Sequence, residues 1–362
     1  MDDLLERVME AVAAAEKSLD LDWRSSYSRA RATGQGAADV ELGSAEVWEA
    51  LPALLGGTAV ERVTSAAEPT LSVGGGAVQV RLLVPQAGRL LWTVSSVADV
   101  RREPAHAAEL LTQLIMGETA EELKAEGDWF LVRLPDGYHG WIRSWYVRET
   151  ARDEIDAYRL RARSLVVANV AYVYTGATEK SLPVSDIVAG SWVEAGHGEG
   201  GYRRVVLPGG KEGFMRESEL VDGPPPPADR RRLMERALKF LGIPYLWGGT
   251  TPKGFDCSGL VKRVFLMEGI SLPRDSDRQA LTGRLIPKER TEDLVPGDLL
   301  FFGEGGKVSH VAMYLGHTTF VHAYGEVRIN SFSARDSRYD EKLARSFLFA
   351  RSVLPTTESG TK

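Results

Sequence analysis

The stretch Tyr245-Leu-Trp-Gly-Gly-Thr-Thr-Pro-Lys-Gly-Phe-Asp-Cys257-Ser-Gly-Leu260 holds the single cysteine of a 362-residue chain and sets it at the start of an apolar run. Leu260, Val261, Val264, Phe265 and Met267 recur at helical spacing until Gly269, which predicts a helix with Cys257 in its first turn. Unpaired N–H groups and the positive end of the helix dipole favour a thiolate there, so the cysteine reads as a nucleophile and not only as a packed thiol. Gly248, Gly249 and Gly254 before it would leave little side-chain bulk over the sulfur.

A nucleophilic thiol needs a base, and the segment from Lys307 through His310 to His322 supplies two histidines on a predicted β-hairpin that turns at Gly316-His317-Thr318. A three-residue loop sets Leu315 opposite Thr319 and His310 opposite Tyr324, so that His310 and His322 share a face. A two-residue loop points them to opposite faces. On a shared face the second histidine would orient the first, as in a Cys–His–polar relay, whereas His317 in the turn reads as a solvated side chain.

Taken together these residues resemble the NlpC/P60 family of papain-like cysteine peptidases. The matching motifs are Tyr245 to Gly249, Asp256 to Gly259, Pro273-Arg-Asp-Ser-x-x-Gln279, Pro296-Gly-Asp-Leu-x-Phe-Phe302, Ser309-His-Val-x-x-Tyr-x-Gly316 and the strand of His322, all in the family's order. The resemblance covers roughly residues 228–352. It implies an α+β catalytic domain that hydrolyses an amide of a peptidoglycan stem peptide, typically between γ-D-glutamate and a diamino acid. In that reading Cys257 attacks the carbonyl, His310 shuttles the proton and His322 holds the imidazole. Tyr245 is placed to donate a hydrogen bond or touch substrate, and Asp256 and Ser258 are candidates for peptide contacts. Asp275, with Ser276, would pair with the free amine of an N-terminal L-alanine.

Composition bounds the rest. With 43% apolar and 26% charged residues the chain is globular material long enough for two to four domains. A net charge of −6 without a basic run excludes a nucleic-acid partner, and one cysteine excludes internal disulfides. No cysteine or histidine cluster has metal-ligand spacing, so neither a metal nor another cofactor is expected. The start, Met1-Asp-Asp-Leu-Leu-Glu-Arg-Val-Met-Glu, opens with acids and lacks the basic start and unbroken apolar core of a leader, and no apolar run reaches membrane-spanning length. A cytoplasmic enzyme without a membrane span is the expectation.

Residues 1–85 read as a mostly helical segment: one amphipathic helix with Leu4, Leu5, Val8, Val12, Ala15 and Leu19 on a side, a second over Ser44 to Leu55, and a strand near Val78 to Val84. The middle contains a repeat. Gly127 to Arg143 aligns without gaps on Gly200 to Arg216, a shift of 214 − 141 = 73 residues between Trp141 and Phe214. Two small all-β units are therefore expected at 86–150 and 160–222, and their Gly-Trp/Phe-x-Arg endings resemble bacterial SH3 domains. Gly223-Pro-Pro-Pro-Pro227 follows as a stiff linker to a catalytic domain at 228–354. If one copy touches substrate it should be the first, through Glu109 and Tyr138, because the second has Leu182 and Lys211 there. Competing readings are a murein hydrolase acting on intact wall, a papain-like amidase or acyltransferase on another substrate, and a wall-binding module with a vestigial catalytic domain.

Overall fold

Asp256 starts the helix that the sequence predicts. Its backbone is extended, and its carboxylate accepts from the Gly259 N–H at 2.7 Å, which satisfies one of the donors that every helix start leaves open. The helix runs Cys257–Met267, and Gly269, at φ +79°, takes the left-handed conformation that ends it. The computed structural model describes residues 2–34, 37–63, 69–223 and 228–354. The proline linker expected at 224–227 lies outside them.

The described chain forms two compact units. One comprises Met1–Leu91, Thr119–Ser144 and Glu149–Arg152, and the other Trp92–Glu118, Trp145–Arg148 and Asp153–Lys362. These boundaries cut through the first repeat, whose residues are shared between both.

In the first unit, helix Asp2–Ser18 turns Val8, Val12 and Ala15 into a core, while Leu19, expected on the same side, lies past the helix end and is exposed. Ser44 caps helix Ala45–Leu54 by accepting from the Val47 N–H at 3.2 Å. The expectation of a mostly helical segment is corrected here. Five strands, Ser28–Gly34, Ala37–Leu42, Val78–Leu82, Thr70–Val73 and Val60–Val63, form one sheet in that order, with a single parallel pair between Ala37–Leu42 and Val78–Leu82. Only Val78–Leu82 was expected; of the four strands that escaped the sequence, Ser28–Gly34 and Val60–Val63 lack an apolar face, and only pairing makes them strands.

The repeat is visible in the secondary structure. Strands Trp129–Arg133 and His139–Arg143 of the first unit recur as Tyr202–Val206 and Glu212–Arg216 of the second, and 202 − 129 = 73 as 212 − 139 = 73. Register repeats too: Trp129 faces Arg143, and Tyr202 faces Arg216. Strands Val97–Arg101 and Val170–Tyr174 obey the same shift.

The cysteine lies in an α+β arrangement. A six-stranded antiparallel sheet runs in the order Arg284–Pro287, Phe347–Ser352, Leu299–Glu304, Lys307–Gly316, Thr319–Tyr324, Glu326–Ser331. The nucleophile helix packs on Lys307–Gly316 and Thr319–Tyr324. Leu260, Val261, Val264 and Phe265 meet Phe301, Val311, Met313 and Val321 there. The opposite face is closed by Phe302, Phe320, Leu343 and Phe347, so Leu299, Leu300, Phe301 and Phe302 form a continuous apolar run instead of alternating. Each such fully buried side chain contributes about 1.5–3 kcal/mol.

Helix Arg230–Lys239, capped by Asp229, is fastened to the end of the nucleophile helix by charge. The Glu268 side chain is 1% exposed and accepts from Arg232 Nη2 (2.8 Å) and Arg236 Nε (2.5 Å). Removing both arginines would leave a buried carboxylate without a counter-charge. Arg232→Ala with Arg236→Ala is therefore expected to cost about 3–5 kcal/mol in urea unfolding, and adding Glu268→Gln to recover most of it. No recovery would mean the clasp acts through packing.

Candidate active site

Hairpin geometry decides whether the two histidines meet. The turn has two residues, His317 and Thr318, both at positive φ, yet the strands pair Met313 with Val321, Tyr314 with Phe320 and Gly316 with Thr319. Leu315 is an extra residue in a bulge, so the expectation of Leu315 opposite Thr319 is corrected to Gly316. Turn plus bulge give the same register as a three-residue loop, and both histidines fall on one face. His310 Nε2 and His322 Nδ1 are 2.7 Å apart.

His322 is fully buried and His310 half-buried. Desolvation, and for His310 the neighbouring His322, lower their pKa values to about 3 and about 4, so both are neutral at physiological pH. Strand Lys307–Gly316 also aims the Val311 N–H, one residue on from His310, at the sulfur of Cys257. Burial, then the Asp256 carboxylate, push the Cys257 thiol up to about 12, against the Val311 and Ser258 N–H groups and Arg274. The expectation of a resting thiolate is thereby corrected. The helix start is positive, but the carboxylate that caps it offsets that charge beside the sulfur. A neutral thiol and neutral imidazoles can make a thiolate only by moving the proton during attack.

Asp256 and Ser258, expected to touch a peptide, are spent inside the protein. Besides Gly259, Asp256 accepts from the Gly248 N–H (3.0 Å), the Ser258 hydroxyl (3.2 Å) and both terminal nitrogens of Arg274, whose Nη1 donates at 3.1 Å. Arg274 Nη1 also donates to Ser258 Oγ at 2.9 Å, and Gln279 Nε2 donates to the Ser258 carbonyl at 3.0 Å. The glycines likewise do something other than bare the sulfur. A Cβ on Gly248 would lie 2.3 Å from the Leu110 carbonyl and one on Gly259 2.1 Å from that of Gly249, so they permit close backbone approach.

Tyr245 is half-buried beside this network, and burial followed by the nearby Cys257 raises its phenol, which stays a protonated donor. Asp275 and Ser276 are half-buried at the start of the short helix Ser276–Gln279; Asp275 Oδ1 is 3.9 Å from Arg274 Nη1. Glu109 reaches the same loop as the cysteine: its Oε1 accepts from the Trp247 indole N–H (2.9 Å) and its Oε2 from Arg102 Nε (2.7 Å). The bond to Arg102 is the main reason its carboxyl titrates low. Tyr138 belongs to the first unit, where it is 8% exposed and stands edge-on to Trp23 at 6.0 Å.

Sequence reasoning missed Asn330. Its Oδ1 lies 2.9 Å from His322 Nε2. The signal was available in strand Glu326–Ser331, where Val327, Arg328, Ile329 and Asn330 alternate and turn two polar side chains to the face of His322. Arg274 was missed as well, although it stands in the Pro-Arg-Asp-Ser motif. Among the described residues no group of His, Cys, Asp or Glu could hold a metal ion, and no helix is long and apolar enough to cross a membrane.

The neutral histidines make stability depend on pH. An unfolded histidine titrates near 6.5, and His310 and His322 titrate lower in the fold, so below about 6.5 the unfolded chain binds more protons. Their contribution is complete above that pH and is lost as pH falls toward about 4. Melting temperature is expected to drop across that interval, and less steeply in a His310→Ala, His322→Gln double variant. Parallel curves would show that the pair is not neutral in the fold.

Residues 242–345 match the NlpC/P60 family and residues 96–148 the bacterial SH3 domain. The first match contains Tyr245, Cys257, Asp275, His310, His322 and Asn330, and the second Glu109 and Tyr138. The γ-D-glutamyl-L-lysine dipeptidyl-peptidase of Bacillus cereus is 31% identical over 257 residues, 64% of this chain and 72% of that protein. The protein of the same name from Bacillus subtilis is 30% identical over 223 residues, 59% of this chain and 71% of that one. A crystal structure of an NlpC/P60 family protein from Bacillus cereus has the same fold, with a TM-score of 0.63 over 74% of this chain and 100% of that one at 24% identity.

Proposed function

The chain belongs to the NlpC/P60 family, and we propose that it is a cysteine peptidase cutting the amide between γ-D-glutamate and a diamino acid in peptidoglycan peptides. The observation that carries this reading is the His310–His322 contact of 2.7 Å on the strand whose Val311 N–H is aimed at Cys257. The names of the two Bacillus relatives support the bond assigned.

In this reading the Cys257 S–H gives its proton to the free nitrogen of His310 as the sulfur attacks the carbonyl carbon. The oxyanion is met by the Cys257 N–H at the helix start and by the Tyr245 phenol, which burial keeps protonated. His310 passes the proton to the leaving nitrogen, the C–N bond breaks, and a thioester remains. Water then attacks that thioester, yielding one proton to His310, which returns it to sulfur as the C–S bond breaks. His322 accepts from His310 Nε2 and holds the ring throughout.

We further propose that the two 73-residue repeats are SH3 domains, over 86–150 and 160–222, and that the first contributes to substrate binding through Glu109. The Glu109–Trp247 bond supports that role for Glu109. Asp275 and Ser276 would receive the free amine of an N-terminal L-alanine. Stem peptides still joined to glycan have that amine tied up as an amide, so the substrate would be released peptides and the enzyme a cytoplasmic recycling one.

Cys257→Ser and His310→Ala are each expected to abolish turnover of L-Ala-γ-D-Glu-diamino-acid peptides, while His322→Ala leaves a trace. A thiol alkylator should remove activity in proportion to labelling of Cys257, and EDTA should leave it intact; full activity in Cys257→Ser would end the nucleophile assignment. N-acetylating the alanine leaves a carboxylate without its ammonium and should lower kcat/KM at least about a hundredfold. Asp275→Ala should act similarly on the free peptide and nearly equalise the two substrates. Equal cleavage by the wild type, or efficient digestion of intact sacculi, would overturn the recycling role.

A further inference from the structure

Behind the histidine pair stands a group that the proposed mechanism does not use. Asn330 is 7% exposed and lies between three partners. Its Nδ2 donates to the Arg338 carbonyl at 2.9 Å, and its Oδ1 faces both Arg328 Nε (3.1 Å) and His322 Nε2 (2.9 Å). A guanidinium N–H can only donate, and a carbonyl can only accept, so the amide has one permitted orientation. The atom facing His322 must be oxygen. The chain of donors follows from that single assignment: His322 carries its proton on Nε2 and, being neutral, presents a lone pair on Nδ1; His310 must then donate from Nε2, which leaves His310 Nδ1 as the lone pair able to take a proton.

We propose that Asn330, locked by Arg328, is the positioning group that fixes which nitrogen of each histidine carries the proton, and that the Arg328 charge keeps the transferred proton on His310. The proposal rests on Cys257 and His310 being the reacting pair. Register places Arg328 directly opposite His322 on the neighbouring strand. A guanidinium there opposes a second proton on His322, and the pKa of His322 is lowered in part by it. The other groups facing His322 are His310 across the hairpin, Tyr324 stacked at 6.0 Å, Phe320, and Asp340, whose charge acts in the opposite sense and which is 4.0 Å from Arg328. A proton that moved on to His322 would be one transfer away from the leaving nitrogen. Holding it on His310 keeps it beside the bond that breaks.

Arg328 also lies over the Tyr324 ring at 5.4 Å, so a purely structural role has to be separated. The full chain labelled with 15N-histidine reports the tautomers directly, through long-range proton–nitrogen correlations at pH 7, whether or not the enzyme turns over. The wild type is expected to show His310 and His322 each protonated on Nε2. Arg328 is 39% exposed, so Arg328→Gln should fold. In that variant the Arg338 carbonyl still orients the Asn330 amide, so the tautomers should persist, while kcat should fall about fivefold with KM unchanged and the acid limb of kcat/KM should move up by about half a pH unit, since a departing cation eases protonation; Asn330→Ala removes the acceptor and should let His322 populate both tautomers. Arg328→Lys keeps the charge and should restore the limb. A wild-type His322 protonated on Nδ1 overturns the proposal, and so does an Arg328→Gln enzyme with unchanged limb and kcat, or an Asn330→Ala protein with unchanged tautomers. Activity persisting in Cys257→Ser would defeat the reading of the reacting pair instead, and leaves the tautomer measurement standing by itself.

Discussion

The pairing of Arg274 with Asp256 is the constraint on which the candidate site depends. One buried carboxylate caps the nucleophile helix at Gly259, holds the preceding loop through the Gly248 N–H, and takes both terminal nitrogens of a guanidinium that is itself 2% exposed. Two charges taken from water cost several kcal/mol each, and only dense hydrogen bonding offsets that. Here the offset comes from the segments that must be fixed: Ser258 on one side of the sulfur and the glycine loop on the other. Position of the thiol and satisfaction of the buried charge are therefore one problem with one solution.

That solution also sets the electrostatics. A carboxylate next to the cysteine and a burial that excludes water disfavour charge on sulfur, and the same burial disfavours charge on both imidazoles. Resting neutrality follows without any special device. The chain of acceptors from His310 through His322 to Asn330 then gives a transferred proton a prepared place, at the cost of a buried polar ring, His322, that must always be partnered.

The loop before the cysteine is held from the far side as well. Gln113 of strand Leu110–Ile115 accepts from the Thr250 N–H (3.2 Å) and the Thr251 hydroxyl (3.2 Å), and its own carbonyl accepts from the Thr250 hydroxyl (3.0 Å). Arg263, 4% exposed on the nucleophile helix, pairs with Glu118 at 2.7 Å and donates to the Thr250 carbonyl at 3.0 Å. Residues 110–118 and the Trp247–Thr251 loop are thus one hydrogen-bonded body, and the gap of over a hundred residues between them in sequence hid this completely.

The amino-acid sequence alone determined the nucleophile helix, the histidine strands and the 73-residue repeat, because each rests on local periodicity or a spacing that needs no partner to be read. It could not decide between two faces for the histidines, since a bulge at Leu315 that restores register is visible only once both strands pair. The same limit hid the strands Ser28–Gly34 and Val60–Val63, which have no apolar face of their own. The roles of Asp256, Ser258 and Tyr138 were misjudged for a related reason: a polar or aromatic side chain in a motif looks available until burial shows what it is bonded to or packed against. Protonation was least legible of all. Whether Cys257 rests as thiol or thiolate, and which nitrogen of His322 holds its proton, depend on desolvation and on Arg274, Arg328 and Asn330, groups that only the tertiary structure brings within a few ångströms of the residues they control.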